Sequence, residues 1–310
     1  MRVVFMGTPD FAVPVLEALT ESKHEVVAVV TQPDKRKGRG KEMQYTPVKT
    51  AALNHGIEVY QPAKVKDEEF QNVLRDINAD VIVVVAFGQI LPPSIIHMPK
   101  YGCINVHASL LPKYRGAAPI QWAVIDGEKE TGITTMQMDE GLDTGDMMLK
   151  EVVPVDEKET GGSLHDKLAA CGGKIILETL QKVEDGTVTY TKQDDSKSNY
   201  AKMLDKNLGK IDFTKKAVEI ERLIRGLNPW PSAYTKLNGK TLKIWDADVL
   251  EGENETPGKI VNITKDQIWI STGEGILAVN ELQLEGKKRM NTEDFLRGYK
   301  MENAVLGMEE

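Results

Sequence analysis

The first 190 residues alternate short, strongly apolar runs with helical stretches, and this alternation limits the possible folds. The clearest run, Ala79–Ala86, is continuously β-branched from Val81 to Val85. Runs this short, separated by helices, are typical of parallel strands whose sheet is covered by helices on both faces. We therefore expect an α/β domain built on a doubly wound, mostly parallel, Rossmann-like sheet.

Hydrophobic periodicity predicts seven strands and five helices in this part of the chain. The predicted strands are Arg2–Met6, Val26–Thr31, Ile57–Tyr60, Ala79–Ala86, Gly102–His107, Thr131–Met138 and Met147–Pro154. The predicted helices are Phe11–Glu21, Thr46–His55, Asp67–Ile77, one beginning near Ala118, and Ser163–Gln181.

The C-terminal third has a different pattern. A polar stretch over 190–206 predicts a linker, and Ala217–Leu227 predicts a helix. Five short strands separated by Gly and Asn turns follow: Ser232–Leu237, Leu242–Asp248, Gly258–Ile263, Gln267–Thr272 and Gly275–Leu284. The series predicts a small β-barrel resembling an oligonucleotide-binding (OB) fold. The 310 residues then divide into a catalytic domain (1–189), a linker (190–206) and a barrel domain (207–310).

Composition excludes several classes of protein. The chain has 39 Lys+Arg against 47 Asp+Glu, and this net charge of −8 argues against a general nucleic-acid coat protein. Two cysteines, Cys103 and Cys171, are too few for a disulfide framework or a four-cysteine zinc site. The most apolar stretch, Val81–Phe87, is far shorter than the roughly 20 residues of a membrane span. We expect a cytoplasmic protein without a membrane partner.

The common cofactor and hydrolase motifs are missing. The turn after the first strand, Gly7–Ala12, lacks the second and third glycines of the dinucleotide fingerprint, and Pro9 removes a donor N–H. The chain also lacks the P-loop motif, the H-E-x-x-H zinc motif and the G-x-S-x-G nucleophile elbow. These absences argue against nicotinamide, flavin, nucleotide-phosphate and metallohydrolase chemistry.

Polar residues at the end of one predicted strand form a candidate site. Strand alternation places Asn105 and His107 on the same side, and a loop rich in carboxylates contains Asp139, Asp143 and Asp146. An amide and an imidazole together suit the stabilisation of an oxyanion on a carbonyl-derived carbon. From the residues alone, two structural explanations stay open. Asn105 and His107 could be an ordinary polar pair at a strand end, and the loop rich in carboxylates could be a tight hairpin.

The stretches Asn105–Gly116 and Gly141–Asp146 resemble the signature of the 10-formyltetrahydrofolate-dependent formyltransferases. Three further stretches, Met6–Ala12, Gln32–Lys41 and Asn228–Pro231, resemble the branch of that family whose amine substrate is initiator methionyl-tRNA. The resemblance spans nearly the whole chain, including the predicted barrel. It implies transfer of a formyl group from 10-formyltetrahydrofolate to the α-amino group of that tRNA.

The resemblance also implies roles for particular residues. Asn105, His107 and Asp143 would be the catalytic set, with no metal and no covalent enzyme intermediate. The folate site would include the backbone around Phe87, Gly88, Gln89, Ile90 and Leu91, the side chains of Ser109, Leu110, Leu111 and Pro112, and the loop containing Asp139 and Gly141.

A basic segment offers a nucleic-acid contact despite the acidic total. Residues 35–49 contain six basic residues, including Lys49, and one acidic residue, so their net charge is +5. The segment follows the second strand, on the sheet edge that carries the predicted site. The resemblance implies that this segment binds tRNA and that Arg39 contributes most to the binding. The implied tRNA-binding residues are Lys35, Arg36, Lys37, Gly38, Arg39, Gly40 and Lys41. Lys287–Arg289 is a second basic candidate or a solvated turn.

Three other functions stay open at this level. The chain could formylate an amino sugar nucleotide or glycinamide ribonucleotide, although the basic segment and the barrel argue against the latter. It could be a non-catalytic RNA-binding module, or it could hydrolyse formyltetrahydrofolate with the same three residues. We expect a monomer.

Overall fold

The strands and helices form close to their predicted positions. The computed structural model describes residues 1–37, 42–253, 255–301 and 306–307. Through residue 201 its strands are β1 Arg2–Gly7, β2 Glu25–Val30, β3 Lys35–Lys37, β4 Glu42–Gln44, β5 Val59–Tyr60, β6 Val81–Val85, β7 Cys103–His107, β8 Arg115–Gly116, β9 Glu130–Gln137, β10 Met147–Pro154 and β11 Tyr200–Ala201. The helices are α1 Val13–Thr20, α2 Pro47–Asn54, α3 Glu68–Ile77, α4 Pro93–Ile96, α5 Pro119–Ile125 and α6 Gly161–Glu184.

The main sheet has seven strands in the order β10-β9-β7-β6-β1-β2-β5. The five strands from β7 to β5 are parallel, and β9 and β10 are antiparallel. The prediction of a mostly parallel sheet is therefore confirmed. Strand β7 is the last strand of the parallel part. Its carboxyl end therefore lies between a parallel neighbour, β6, and an antiparallel neighbour, β9.

Helices cover both faces of this sheet. On one face, Val4 and Ile82 share a buried cluster with Phe70 and Leu74 of α3. On the other face, α6 passes close to α1 at a glycine pair. A Cβ placed on Gly173 would lie 3.0 Å from the Cβ of Ala18, so only glycine allows this approach without displacement. Helices therefore pack on both faces of the sheet, and this is the doubly wound arrangement.

The C-terminal part is an antiparallel sheet. Its strands are β12 Ala233–Leu237, β13 Lys240–Leu250, β14 Ile260–Ile263, β15 Ile268–Ser271, β16 Ile276–Leu284 and β17 Met290–Asn291, and its helices are α7 Ala217–Gly226 and α8 Thr292–Leu296. The order is β12-β13-β16-β15-β14, with β17 paired to β16. All five predicted strands are confirmed, and β17 and α8 are additional. Ile220 and Ile224 of α7 belong to the buried core of this sheet.

The chain divides into two compact units. The first contains Met1–Pro119, Glu130–Pro154 and His165–Ala201, and the second contains the remainder. The polar stretch 190–206 is therefore built into the first unit as far as residue 201, because Tyr200 and Ala201 of β11 pair with β8. The assignment of residues 1–189 as the catalytic domain and of residues 207–310 as the barrel domain stays a prediction.

Candidate active site

Asn105 and His107 lie side by side on β7, as strand alternation requires. Asn105 is opposite Met136 and His107 is opposite Thr134 on β9, and both polar side chains are more than 90% buried. Burying an amide and an imidazole is costly unless each has a hydrogen-bonding partner. Their partners come from the two loops that follow β7 and β9.

Asp143 supplies the carboxylate. Its Oδ1 lies 3.4 Å from Asn105 Nδ2 and 3.7 Å from His107 Nδ1. Its Oδ2 accepts a hydrogen bond from the Gly116 N–H at 2.8 Å. One carboxylate oxygen thus faces the amide–imidazole pair while the other is held by the backbone. The 3.7 Å separation exceeds a direct hydrogen bond, and catalytic contacts of this kind commonly tighten when substrate binds.

The ring of His107 has a defined orientation. Its Nε2 lies 2.9 Å from the carbonyl oxygen of Tyr114. Because a carbonyl oxygen only accepts hydrogen bonds, Nε2 carries a proton and donates it. The other ring nitrogen, Nδ1, faces Asp143.

The segment predicted to hold the folate ring follows β6, next to β7. Phe87 and Leu91 are buried, and the Phe87 carbonyl accepts hydrogen bonds from Thr8 Oγ1 (2.8 Å) and Gln32 Nε2 (3.2 Å). The Gln89 side chain bonds to the backbone of residues 62 and 65, and Gly88 has φ +84°. Ile90 is 88% exposed. The segment is fixed through its backbone and presents one apolar side chain.

The stretch Ser109–Pro112 is also held from within. Ser109 and Leu111 are fully buried. Ser109 Oγ donates to the Lys113 carbonyl at 2.7 Å, and the Leu111 N–H donates to Thr134 Oγ1 at 3.1 Å. These two side chains shape the loop and do not offer a free surface, so Leu110 and Pro112 are the partly exposed members. In the facing loop, Asp139 accepts the Gly141 N–H at 3.0 Å.

The basic segment is partly outside the described residues. Gly38, Arg39, Gly40 and Lys41 lie outside them, so their predicted role is untested by the structure. The ends of the segment, β3 and β4, pair antiparallel, with Lys35 opposite Gln44. The described ends of the basic segment therefore form a two-stranded antiparallel ladder.

The basic segment offers less positive charge to a partner than its sequence predicts, because Lys49 forms an ion pair. Its Nζ lies 2.5 Å from Asp34 Oδ2 and 2.8 Å from Gln61 Oε1, and its side chain is 15% exposed. The hydrogen bond from Lys49 holds the pKa of Asp34 below its usual value. Lys49 is thus committed to an ion pair at the base of the ladder and is unavailable to a phosphate. The sequence suggested a free charge because Asp34 is distant from it along the chain.

Replacing Lys49 by methionine is expected to lower the free energy of unfolding at pH 7 by about 2–3 kcal/mol, because the Asp34 carboxylate loses its charged partner and keeps only Gln61 Nε2. The pKa of Asp34 is depressed, so the pair stabilises at neutral pH and its contribution disappears as the pH falls through that pKa. Urea unfolding at pH 7 and in acid measures both effects. The double variant Asp34→Asn/Lys49→Met should recover part of the loss, and no recovery would contradict the pairing.

The second basic candidate, Lys287–Arg289, is also only partly available. The Arg289 guanidinium pairs with Glu281, and it lies 4.8 Å from the Trp245 ring. Lys287 and Lys288 are exposed. The charge that this turn offers to a partner therefore comes from the two lysines.

Two kinds of feature are absent from the described part of the chain. Within the described ranges, there is no group of three or more His, Cys, Asp or Glu side chains that could hold a metal ion. Among the helices of the same ranges, none is long and apolar enough to cross a membrane.

The groups that support the predicted catalytic set could not be identified from the sequence. The carbonyl of Tyr114 and the N–H of Gly116 lie in the quoted motif, but only the fold shows what they contact. Gln193 and Asn199 lie in the stretch predicted to be a linker, where no local pattern marks them. Asn199 reaches its partner beside the β8–β11 pairing, which joins segments about 85 residues apart, and Gln193 follows the bridge between Thr191 and Met147.

Comparison with known proteins identifies the family. The model of a family described as formyl transferase matches residues 1–180, and that of the formyl transferase C-terminal domain matches residues 203–300. The chain is 62% identical over 303 residues to the methionyl-tRNA formyltransferase of Agathobacter rectalis, covering 97% of this chain and 98% of the relative. It is 61% identical over 312 residues to that of Lachnospira eligens, covering 99% of each.

A solved structure agrees at the level of the fold. The N-formyltransferase from Helicobacter canadensis superposes with a TM-score of 0.68 and 23% identity, covering 90% of this chain and 99% of that one. Together with the two matching family models and the full-length relatives, this similarity leads to one conclusion: the chain belongs to the formyl transferase family.

Proposed function

We propose that this chain transfers the formyl group of 10-formyltetrahydrofolate to the α-amino group of initiator methionyl-tRNA. The observation that carries the proposal is the contact of buried Asn105 and His107, at the end of β7, with the carboxylate of Asp143. Full-length relatives 61–62% identical are named for this activity. The folate is a co-substrate, and translation initiation is the process that uses the product.

The three side chains account for the addition step. The amine nitrogen bonds to the formyl carbon and loses a proton, while the carbonyl oxygen becomes an oxyanion. Asn105 Nδ2 and protonated His107 Nδ1 are the donors that stabilise this oxyanion. Asp143 pairs with His107, and it accepts the proton of the amine, directly or through water. The collapse then breaks the bond between the formyl carbon and N10, and N10 takes up a proton.

The folate is proposed to bind on the segments next to the catalytic set. Residues 87–91 and 109–112 follow β6 and β7, and the loop containing Asp139 and Gly141 follows β9. Their backbones are held by the hydrogen bonds described above, and Ile90 presents an exposed apolar side chain. Such a fixed, largely apolar surface with nearby donors suits a planar ring with polar edges.

The direct test is transfer of labelled formyl groups to a panel of acceptors. We expect label on initiator methionyl-tRNA and none on uncharged tRNA, free methionine or amino sugar nucleotides. Label on a sugar amine would favour the sugar branch of the family. Release of formate without any amine would favour hydrolysis, and neither transfer nor release would favour an RNA-binding module.

The basic segment is proposed to bind the tRNA. Replacing Lys37, Arg39 and Lys41 by glutamine should lower kcat/KM for methionyl-tRNA about tenfold and flatten its salt dependence by roughly two units of log–log slope, because three phosphate contacts are lost. The KM for folate should stay the same. Steady-state kinetics between low and moderate salt measure these quantities.

The control for this prediction removes three exposed lysines, Lys64, Lys66 and Lys174, which lie outside the segment. Equal losses in the two triple variants would mean that only total charge matters, and equal effects on both substrates would contradict the assignment to tRNA.

Three further proposals concern residues 207–310, the oligomeric state and the place where the enzyme acts. Residues 207–310 contact the tRNA, with their positive residues gathered on one face because the region is acidic overall. The enzyme acts as a monomer, since one chain supplies all three catalytic residues, and size-exclusion chromatography with light scattering tests this. It acts in the cytoplasm, where its charged tRNA substrate is made.

A further inference from the structure

Gln193 contacts the loop that carries the catalytic carboxylate. Its Nε2 donates to the carbonyl oxygens of Asp143 and Gly145, both at 2.8 Å, and its Oε1 accepts from Arg115 Nε at 3.0 Å. Both amide protons and the amide oxygen are therefore used. A flipped amide would place oxygen against two carbonyl oxygens and NH₂ against a guanidinium, so only one orientation is compatible with these partners.

Asn199 contacts the other catalytic loop. Its Oδ1 accepts the Tyr114 N–H at 2.5 Å, and its own carbonyl accepts the Arg115 N–H at 3.1 Å. Tyr114 is the residue whose carbonyl orients His107. The short strands β8 and β11 continue this pairing at the next residues.

The backbone at both contacted residues needs support. Asp143 has φ +54° and Tyr114 has φ +58°, in the left-handed region that residues with a Cβ adopt only at an energetic cost. Such conformations persist where the surroundings hold them. Gln193 bonds to the carbonyl of one of these residues, and Asn199 bonds to the N–H of the other.

We propose that Gln193 and Asn199 are positioning residues for formyl transfer, with Gln193 holding Asp143 and Asn199 holding the Tyr114 carbonyl against His107. The inference rests on the proposed function and adds to it the segment 193–199. This segment acts through Asp143 and His107, and we assign it no contact with substrate.

Two substitutions of Gln193 test the first half. Gln193→Met removes all three hydrogen bonds at nearly constant shape, whereas Gln193→Glu keeps an acceptor for Arg115 but turns oxygen towards the two carbonyls. Both should lower kcat about 10- to 100-fold with little change in the KM for folate, since small misplacements of catalytic groups cost rate. If Gln193 served only to hold Arg115, Gln193→Glu would retain near-normal kcat, and that result would overturn the assignment.

A conservative pair tests the second half. Asn199→Asp keeps the acceptor oxygen for the Tyr114 N–H and should retain kcat within about threefold, whereas Asn199→Ala leaves that donor without this partner and should lose roughly tenfold or more. Equal kcat in the two variants would overturn the role of Asn199. Thermal unfolding of each variant separates loss of folding from loss of rate, and the Asp/Ala contrast decides the matter even if both are destabilised.

The neighbouring exposed lysine provides the control. Lys192→Met should transfer formyl groups at the wild-type rate. If wild type and Lys192→Met both fail to formylate methionyl-tRNA, the proposed function is wrong. If both are active and Gln193→Glu is equally active, only the positioning inference is wrong.

Discussion

Replacing His107 by alanine is expected to lower the rate of formyl transfer about 10²–10³-fold, the usual cost of losing one oxyanion donor. The alanine removes the proton that Nδ1 offers to the developing oxyanion and also removes the group that Asp143 pairs with. The segments proposed to bind the folate do not include the His107 side chain, so the affinity for folate should change little. Single-turnover transfer to methionyl-tRNA at saturating folate measures the rate of the chemical step.

His97 offers a matched control because it is an exposed histidine of the same unit. His97→Ala should transfer at the wild-type rate. Asn105→Ala, which removes the second donor, should show a loss of the same order as His107→Ala. A folded His107→Ala protein with near-normal single-turnover rates would contradict the assignment of this residue.

Replacing Asp143 by asparagine should lower kcat by roughly 10²–10⁴-fold, within the range for removal of a positioned general base. The substitution keeps the shape but removes the charge that pairs with His107. It also leaves only one oxygen where the aspartate offers two acceptors, one to Asn105 and one to the Gly116 N–H. The NH₂ group of the new side chain must therefore face either the Gly116 N–H, which is itself a donor, or the imidazole of His107.

Asp76→Asn is the control for Asp143, since it neutralises an exposed carboxylate elsewhere in the same unit and should leave kcat unchanged. Restoring the Asp143→Asn rate with added formate or acetate would support the role as proton acceptor. Activity of Asp143→Asn equal to that of Asp76→Asn would show that the carboxylate takes no part in the reaction.

The elements of the fold were predictable because their signals are local. Val81–Val85 forms a buried strand in any context that covers both faces of a sheet, and Pro47 begins α2 directly after Thr46. The Thr46 side chain accepts the Lys49 N–H at 3.1 Å, the capping bond that a threonine before a helix favours. Likewise, alternation along β7 placed Asn105 and His107 on one side.

The support around the site was not predictable from the residues alone. The 2.8 Å bonds from Gln193 join groups about 50 residues apart, and the bridge between Thr191 and Met147 brings the two segments together. A polar stretch with no hydrophobic period gives no sign of such a partner, so residues 190–201 resembled a linker. Lys49 was misjudged for the same reason, since a lysine in a basic run shows nothing of the Asp34 carboxylate that neutralises it.

The net charge of −8 gave no indication of the proposed substrate. A whole-chain sum hides local charge, and the remaining basic residues of 35–41 are the ones proposed to meet phosphates. The pairing of Lys49 sharpens this proposal, because it assigns one positive charge to the base of the ladder and leaves the others to contact tRNA.

The central claim is that formyl groups pass from the folate to the methionyl amine on the Asn105–His107–Asp143 set. The measurement that tests it most directly follows labelled formyl through one turnover, counting label on the folate, on the methionyl-tRNA and as free formate. We predict that label leaves the folate and appears on the α-amine at the same rate and in equal amount, and that His107→Ala slows both together. Label released as formate, with none gained by the tRNA, would contradict the account.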